Sequence, residues 1–336
     1  MKLAVVILNW NGKRFLEQFL PSLIKYSPEY AEIIIADNAS SDDSIAFLNA
    51  EYPKLRIIQN QQNGGFSKGY NDALKQIDAT YYCLLNSDIE VTEYWIEPII
   101  DLMDSDAQIA VCQPKILAYH RRNEFEYAGA CGGFIDKLGY PFCRGRLFNS
   151  IEKDCGQYDD IAEIFWATGA AMFVRADIYH KLGGLDEDFF AHQEEIDFCW
   201  RVKNHGYKVK VCPQSKVYHI GGGTLPKNNA RKTYLNFRNN LWLVLKNLPK
   251  SQLFSALFYR FFLDLLAAVV FLLKGQFRDF SAVIKAYFSF ISRFNTMKCK
   301  RQPNLKPLKD IYPKSIVWMY FVKKIKTYSG LRWRKI

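Results

Sequence analysis

The sequence predicts an α/β fold: a doubly wound, mostly parallel sheet flanked by helices, followed by a basic helical region. Three observations predict it. Apolar runs alternate with amphipathic stretches through residues 1–90, and polar residues gather where the runs end. The charge also divides along the chain. Residues 1–225 hold 22 Lys and Arg against 31 Asp and Glu, whereas residues 226–336 hold 23 against 3. The net +11 is therefore −9 in the first part and +20 in the last third, which argues for two parts with different partners. With 336 residues, 49% apolar and 15% aromatic, the chain can bury a sizeable core and is not a disordered polymer.

LAVVILNW at 3–10 is one apolar run, the signature of a strand buried on both faces. Lys13–Tyr26 is amphipathic, and Pro28 closes it. AEIIIADN at 31–38 reads as the second strand, Ser41–Ala50 as the second helix and LRIIQN at 55–60 as the third strand. A helix over Ser67–Ile77 and the strand TYYCLLNSD at 80–88 follow. This order implies right-handed crossovers, with ligands outside the carboxyl ends of the strands.

Four polar stretches occupy such ends: Asn9-Trp10-Asn11, Asp37-Asn38, Asn63-Gly64-Gly65 and Asn86-Ser87-Asp88. Buried polar groups need partners, so together they point to a ligand. Asp37 suits a helix N-cap or, with Ser40 or Ser41 capping, a free acceptor for a base or ribose. NQQNGGFSKGYN at 60–71 lacks GxGxxG, which argues against a nicotinamide-dependent dehydrogenase. Its glycines fit either a phosphate approach or a plain tight turn. Asn86 and Asp88 can grip a hard divalent cation or simply form a turn. In FFAHQEEIDFCWR at 189–201, a helix would turn Ile196, Cys199 and Trp200 inward and pair Asp197 with Arg201. Glu194 and Glu195 would then sit at its N-terminal end, where the helix dipole favours negative charge.

The eight cysteines form no disulfide framework, and a reduced cytoplasmic setting is expected. The run Leu3–Leu8 is too short for a signal-peptide core.

The segments VVILNWNG, IIIADNASSDDS, NGGFSKGYN, LLNSDIEV, WATGAAMFVRAD, GGLDEDFFAHQEEIDFCWR and VYHIGGGT occur in this order. As a set they resemble the family 2 glycosyltransferases, the rhamnosyltransferase-like members above all, over roughly residues 3–240. The resemblance implies a GT-A fold, a UDP- or dTDP-sugar donor, a divalent cation (Mg2+ or Mn2+) and inversion at the anomeric carbon. It implies that Asp37 reads the base, that Asn9 and Asn11 line the nucleotide pocket, and that Asn71 lies on the donor side. Asp88 matches the last acid of the metal-holding DxD motif, and Asn86 stands where its first acid would be. Glu195 matches the catalytic base, one methylene longer than the usual Asp, with Glu194 as second choice. His219 matches a late metal-ligating histidine or is a packed one. Trp166 matches the sugar and acceptor side or is a core residue.

SQLFSALFYRFFLDLLAAVVFLLKG at 251–275 is strongly apolar but carries Arg260 and Asp264. A charge at mid-bilayer is costly, so helices lying in the membrane interface are expected; a helical subdomain packed on the catalytic part is the alternative. The +20 of residues 226–336 suits an anionic membrane surface, and the apolar run argues against nucleic acid. Arg238 is expected to meet an acceptor diphosphate. The expectation is a catalytic domain at 1–240 and a membrane-associating helical region at 241–336. The protein would be peripheral on the cytoplasmic face of the plasma membrane, with a glycan acceptor on a polyprenyl diphosphate lipid. A scaffold protein that keeps the fold without turnover is the alternative.

Overall fold

The computed structural model describes residues 1–221, 229–303 and 305–333. The first part runs β1 (Leu3–Asn9), α1 (Lys13–Tyr26), β2 (Ala31–Asp37), α2 (Ser44–Glu51), β3 (Arg56–Gln59), α3 (Gly65–Leu74) and β4 (Tyr81–Asn86). Then come β5 (Ile89–Val91), α4 (Glu97–Ser105), β6 (Ile109–Ala118) and β7 (Arg121–Phe125). A hairpin-rich stretch gives β8 (Gly133–Ile135), β9 (Pro141–Cys143), β10 (Arg146–Leu147), β11 (Ser150–Ile151) and β12 (Ala162–Glu163). The centre continues with β13 (Ala171–Arg175), α5 (Ala176–Lys181), α6 (Glu194–Asn204) and β14 (Lys208–His219). The helices α7 (Ala230–Asn247), α8 (Lys250–Leu273), α9 (Phe277–Ser292) and α10 (Phe294–Cys299) follow.

The main sheet has the order β12-β14-β6-β13-β4-β1-β2-β3. Strands β4, β1, β2 and β3 are parallel, and both faces are covered by apolar clusters, which is why β1, β2 and β4 read as unbroken apolar runs. Register then places the polar ends side by side: Asn9 opposes Asp37, and Leu8 opposes Asn86. Strand β13 enters antiparallel between β4 and β6. Strand β14 runs parallel to β6 and pairs at its end with β5, His219 opposite Ile89, which sets His219 beside Asp88.

A second, antiparallel sheet, β11-β10-β9-β8, stands apart from the first and was not expected from the sequence. Trp166 packs flat on it: a Cβ on Gly133 would lie 2.0 Å from the indole, whose Nε1 donates to Phe134 O at 2.9 Å.

The last third packs onto the catalytic part. The expected boundary at 240 falls inside α7, which contacts both α6 and α9. Tyr312 N donates to Ile135 O at 2.9 Å, and Ile316 N donates to Asp136 Oδ2 at 2.8 Å, so the chain end returns to the second sheet. Helix α8 is long and apolar enough to cross a membrane. Its Arg260 and Asp264 do not face outward, however: they are 2% and 1% exposed. Arg260 Nη2 donates to Asp264 Oδ2 at 3.1 Å, its Nη1 donates to Asn240, and its guanidinium lies 3.8 Å from the Tyr140 ring centre. Tyr140 and Tyr287 hydroxyls donate to the two Asp264 oxygens, each at 2.9 Å. The opposite face of α8 carries exposed Phe254, Phe258, Phe261, Leu266 and Leu273.

Candidate active site

A cleft of about 2850 Å³ opens at the carboxyl ends of the main-sheet strands. Asn11, Asn63, Asn86 and Asp88 line it together with Glu126, His219, Glu194 and Glu195. The far end runs between α8 and a π-helical turn at Trp318–Val322.

At the end of β1, Asn9 Nδ2 donates to Asp37 Oδ1 at 2.9 Å and to Ser40 Oγ at 3.1 Å. Asp37 Oδ2 accepts from Ser40 N at 2.9 Å. The carboxylate is therefore buried and engaged rather than free, and neither Ser40 nor Ser41 caps α2. The N-cap is Asp43, without a side-chain bond; Asp42, just before it, accepts from Ser44 N at 3.1 Å, and its hydrogen bonds outweigh burial and hold its carboxyl below the usual range. Asn11 adopts φ 52°, and its Oδ1 accepts from Ser41 N at 2.7 Å, leaving its body on the cleft wall. Asn9 and Asp37 lie just behind that wall. Asn38, not singled out by the sequence, reaches the cleft and ties its strand to the next: its Nδ2 donates to Asn63 Oδ1 at 2.9 Å.

Asn71 does not face the cleft. Its Nδ2 donates to Leu185 O at 2.8 Å, and its Oδ1 accepts from the Tyr179 hydroxyl at 2.7 Å and Leu185 N at 3.0 Å. It latches the 185–187 loop. After the paired glycines, the Phe66 and Ser67 N–H groups both donate to Phe190 O. Gly65 is required there: it has φ +80°, and a Cβ would lie 2.5 Å from that carbonyl. Arg238 likewise turns away from the cleft, with Nη2 donating to Phe189 O at 3.0 Å and the guanidinium 4.2 Å from the Trp242 ring centre.

Asp88 and His219 meet as the strand register requires, with His219 Nε2 3.1 Å from Asp88 Oδ1. Asn86 Nδ2 lies 3.5 Å from the same nitrogen, and His219 Nδ1 is 3.4 Å from Glu126 Oε1. Burial alone would lower the His219 pKa, but the Asp88 and Glu126 carboxylates outweigh it and push it to about 10. Burial alone would raise Asp88; His219 outweighs it and holds the carboxyl below its ordinary value. Carboxylates that hold a proton on this imidazole would hold a cation equally well, and a ligand histidine backed by a carboxylate is a common arrangement. Among the described residues no three His, Cys, Asp or Glu side chains surround one point. Gly221 N donates to Asp88 Oδ2 at 3.2 Å; the residues that follow it, 222–228, lie outside the described residues.

Glu194 and Glu195 open α6 on the cleft wall. Burial pushes Glu195 up to about 7, and burial with the neighbouring Glu195 charge raises Glu194 well above the carboxylate range. Each has one buried oxygen, Oε2, without a hydrogen-bond partner. Asp197 is structural: Arg201 Nε donates to its Oδ2 at 2.9 Å, and Lys246 lies 2.8 Å from its Oδ1.

The loop before α6 is strained. Phe190, His192 and Gln193 have φ 65°, 71° and 70°, a region side chains other than glycine rarely adopt. Helix α7 holds it there. Asn239 Nδ2 donates to Phe189 O, Ala191 O and His192 O at 3.0, 2.9 and 2.7 Å. Asn240 Nδ2 donates to Gly139 O and Gln193 Oε1, each at 2.8 Å. Two adjacent amides in a helix, where amides are not favoured, are the one local trace of this clamp.

A parallel sheet with polar strand ends, a carboxylate–imidazole pair and a raised-pKa glutamate across one cleft defines a nucleotide-dependent group transferase of the GT-A type. The chain belongs to glycosyltransferase family 2: residues 4–155 match "Glycosyl transferase family 2", and residues 83–295 match "Glycosyl transferase family group 2". It is 23% identical over 249 residues to the low-salt glycan biosynthesis hexosyltransferase Agl10 of Haloferax volcanii, covering 70% of this chain and 73% of that one. It is 22% identical over 233 residues to the N-acetylglucosaminyl-diphospho-decaprenol L-rhamnosyltransferase of Mycobacterium tuberculosis, covering 65% of this chain and 75% of that one. Its fold is shared with GalNAc-T7 bound to UDP, GalNAc and Mn2+ (TM-score 0.57, 17% identity, 73% of this chain and 47% of that one). It is also shared with S. aureus TarS 1-349 in complex with UDP (TM-score 0.53, 15% identity, 92% and 95%). The protein is an enzyme, a glycosyltransferase.

Proposed function

We propose that the enzyme moves a sugar, with inversion, from a nucleoside diphosphate to a hydroxyl of a glycan acceptor carried on a polyprenyl diphosphate lipid. The observation that carries the reading is Glu195: a carboxylate raised to about 7, with a buried unpaired oxygen, in the same cleft as Asp88 and His219. The nucleotide sits at the Asn11, Asn38 and Asn63 end, with Asp37 and Asn9 fixing that wall from behind. Asp88 and His219 hold the divalent ion, with Asn86 beside them. A divalent ion held there would supply Lewis-acid neutralisation of charge on the departing diphosphate.

Glu195 takes the acceptor proton as the new carbon–oxygen bond forms, and the bond to the diphosphate breaks on the opposite side of the anomeric carbon, which inverts it. A positioned base of this kind contributes typically ~10²–10⁴-fold. Glu194, whose carboxyl pKa is raised by burial and the Glu195 charge, faces the same space beside the base. Trp166, anchored to Phe134 O, forms the floor of the sugar site. The exposed apolar face of α8 and the basic last third support a setting on the cytoplasmic surface of the membrane, where a lipid-linked acceptor would be met.

The test is titration of the full chain with UDP, dTDP and GDP in the presence of Mn2+, then turnover of the matching sugar donors. Binding of at least one nucleotide that weakens in Asp88→Asn is expected. If none binds, the reading fails. Binding with no turnover on any donor and acceptor would favour a scaffold protein.

A further inference from the structure

Arg146, on β10, is 7% exposed and lines the cleft. Its Nη2 donates to Cys143 Sγ at 3.2 Å, its guanidinium lies 4.6 Å from the Tyr127 ring centre, and its Nε is buried with no hydrogen-bond partner. Burial pushes the Cys143 thiol up, so it stays neutral and leaves the arginine charge unbalanced. The Glu126 carboxylate acts on Arg146 from farther away, but it already accepts the Ala128 N–H and flanks His219. A buried guanidinium with a missing partner is costly unless an anion supplies it. The Glu195 carboxylate acts on the same Cys143 thiol, and Arg146 and Glu195 line the same cleft.

Beyond Arg146 the cleft changes character. Phe148 packs on Tyr320 and Phe321, with ring centres 4.9 and 5.1 Å apart. From there an apolar channel runs between Leu266 and Val270 of α8 and Trp318 and Val322 of the π-helical turn, with Lys314 and Lys323 also lining it. It opens where α8 exposes its apolar face. The order along the cleft is therefore base, cation, hydrocarbon channel.

We infer that Arg146 anchors a phosphate of the acceptor, and that the channel between α8 and Trp318–Val322 seats the hydrocarbon chain joined to that phosphate. This rests on the glycosyltransferase reading above and adds the residue and the path that read a lipid phosphate. The continuity of the channel with the catalytic cleft and the lysines along it favour an anionic lipid over a neutral apolar partner.

The test uses the full chain with its donor site saturated by Mn2+ and whichever nucleoside diphosphate it binds. Farnesyl diphosphate, farnesol and inorganic pyrophosphate are then titrated. The wild type is expected to bind farnesyl diphosphate at least about tenfold more tightly than either of the others, each of which holds half of the determinant. Arg146→Gln removes about tenfold to a hundredfold of that affinity, as for a lost charge-assisted hydrogen bond, and leaves farnesol and nucleotide affinities unchanged. Arg146→Lys restores part of it. Val270→Trp, on an exposed wall of the channel, abolishes the preference for the farnesyl chain without touching Arg146, and so decides the case if Arg146→Gln fails to fold. Unchanged farnesyl diphosphate binding in Arg146→Gln overturns the inference, as does an equal loss of nucleotide binding. Pyrophosphate binding as tightly as farnesyl diphosphate overturns the lipid assignment. Failure of every nucleotide to bind the wild type instead sinks the glycosyltransferase reading.

Discussion

At the scale of single residues the proposed chemistry turns on Glu195. Glu195→Gln keeps the shape and removes the base, so kcat is expected to fall by about 10²–10⁴-fold with nucleotide affinity unchanged, measured by turnover and by titration. Because the base works deprotonated, wild-type kcat/KM rises with pH through about 7 and levels off above it. The same shift carries a stability consequence of opposite sense. The folded-state pKa of about 7 lies above the ordinary 4.5, so the folded state holds the proton more tightly than the unfolded chain. That stability is present below pH 4.5 and is lost as pH rises through about 7. Glu195→Gln should therefore melt higher than wild type at about pH 8, by an equivalent of about 1–3 kcal/mol, and match it near pH 4.5. A mutant that loses both activity and the alkaline stability gain would assign Glu195 a packing role only.

At the scale of elements, the catalytic glutamates are only as well placed as the loop before α6. Asn239→Ala strips three buried carbonyls of their donor, and about 1–3 kcal/mol of stability should go with it. Since the left-handed residues Phe190, His192 and Gln193 are then unclamped, kcat should fall more than nucleotide affinity does. Calorimetry and steady-state kinetics on one preparation would check both. The strands and the first helices were legible because burial on both faces leaves unbroken apolar runs, and α1 spans Lys13–Tyr26 as its amphipathic period says. Asp88 in the turn after β4, His219 at the end of β14, and Glu194 and Glu195 opening α6 were legible in the sequence because polar residues there interrupt or follow apolar runs. Asn71 and Arg238 were not: both hold the 185–190 stretch by hydrogen bonds across long sequence separations, and no local pattern records such a fold-back. Glu126, Asn239 and Arg146 were missed for a related reason. They sit in a loop, in a helix whose polar face is buried, and in a two-residue strand, and only tertiary pairing shows what they touch.

At the scale of the whole molecule, charge and apolar surface fall on the same part of the chain. Helix α8 is pinned inward by Arg260 and Asp264, so its outward side is free to be apolar. Arg260→Ala would leave Asp264 buried and unpaired and should destabilise the protein by about 3–5 kcal/mol, whereas joint replacement by Leu should recover most of that. What the pin holds out is a surface with Phe254 and Leu273 each 81% exposed, on a region of net charge +20. Monomeric soluble surfaces rarely carry contiguous apolar patches of this kind without a partner. An anionic bilayer satisfies both features: the rings enter the interface, and each basic residue near it adds about 1 kcal/mol. The full chain should therefore sediment with vesicles containing phosphatidylglycerol and much less with phosphatidylcholine vesicles, and the difference should shrink as salt is raised. Phe254→Ser with Phe258→Ser should lower partitioning by about tenfold or more, because each fully buried Phe is worth ~1.5–3 kcal/mol. Both residues lie off the catalytic cleft, so turnover of a water-soluble acceptor analogue should not change while turnover of a vesicle-borne acceptor drops. Equal binding to neutral and anionic vesicles, or no effect of the double substitution, would mean that another protein covers this face.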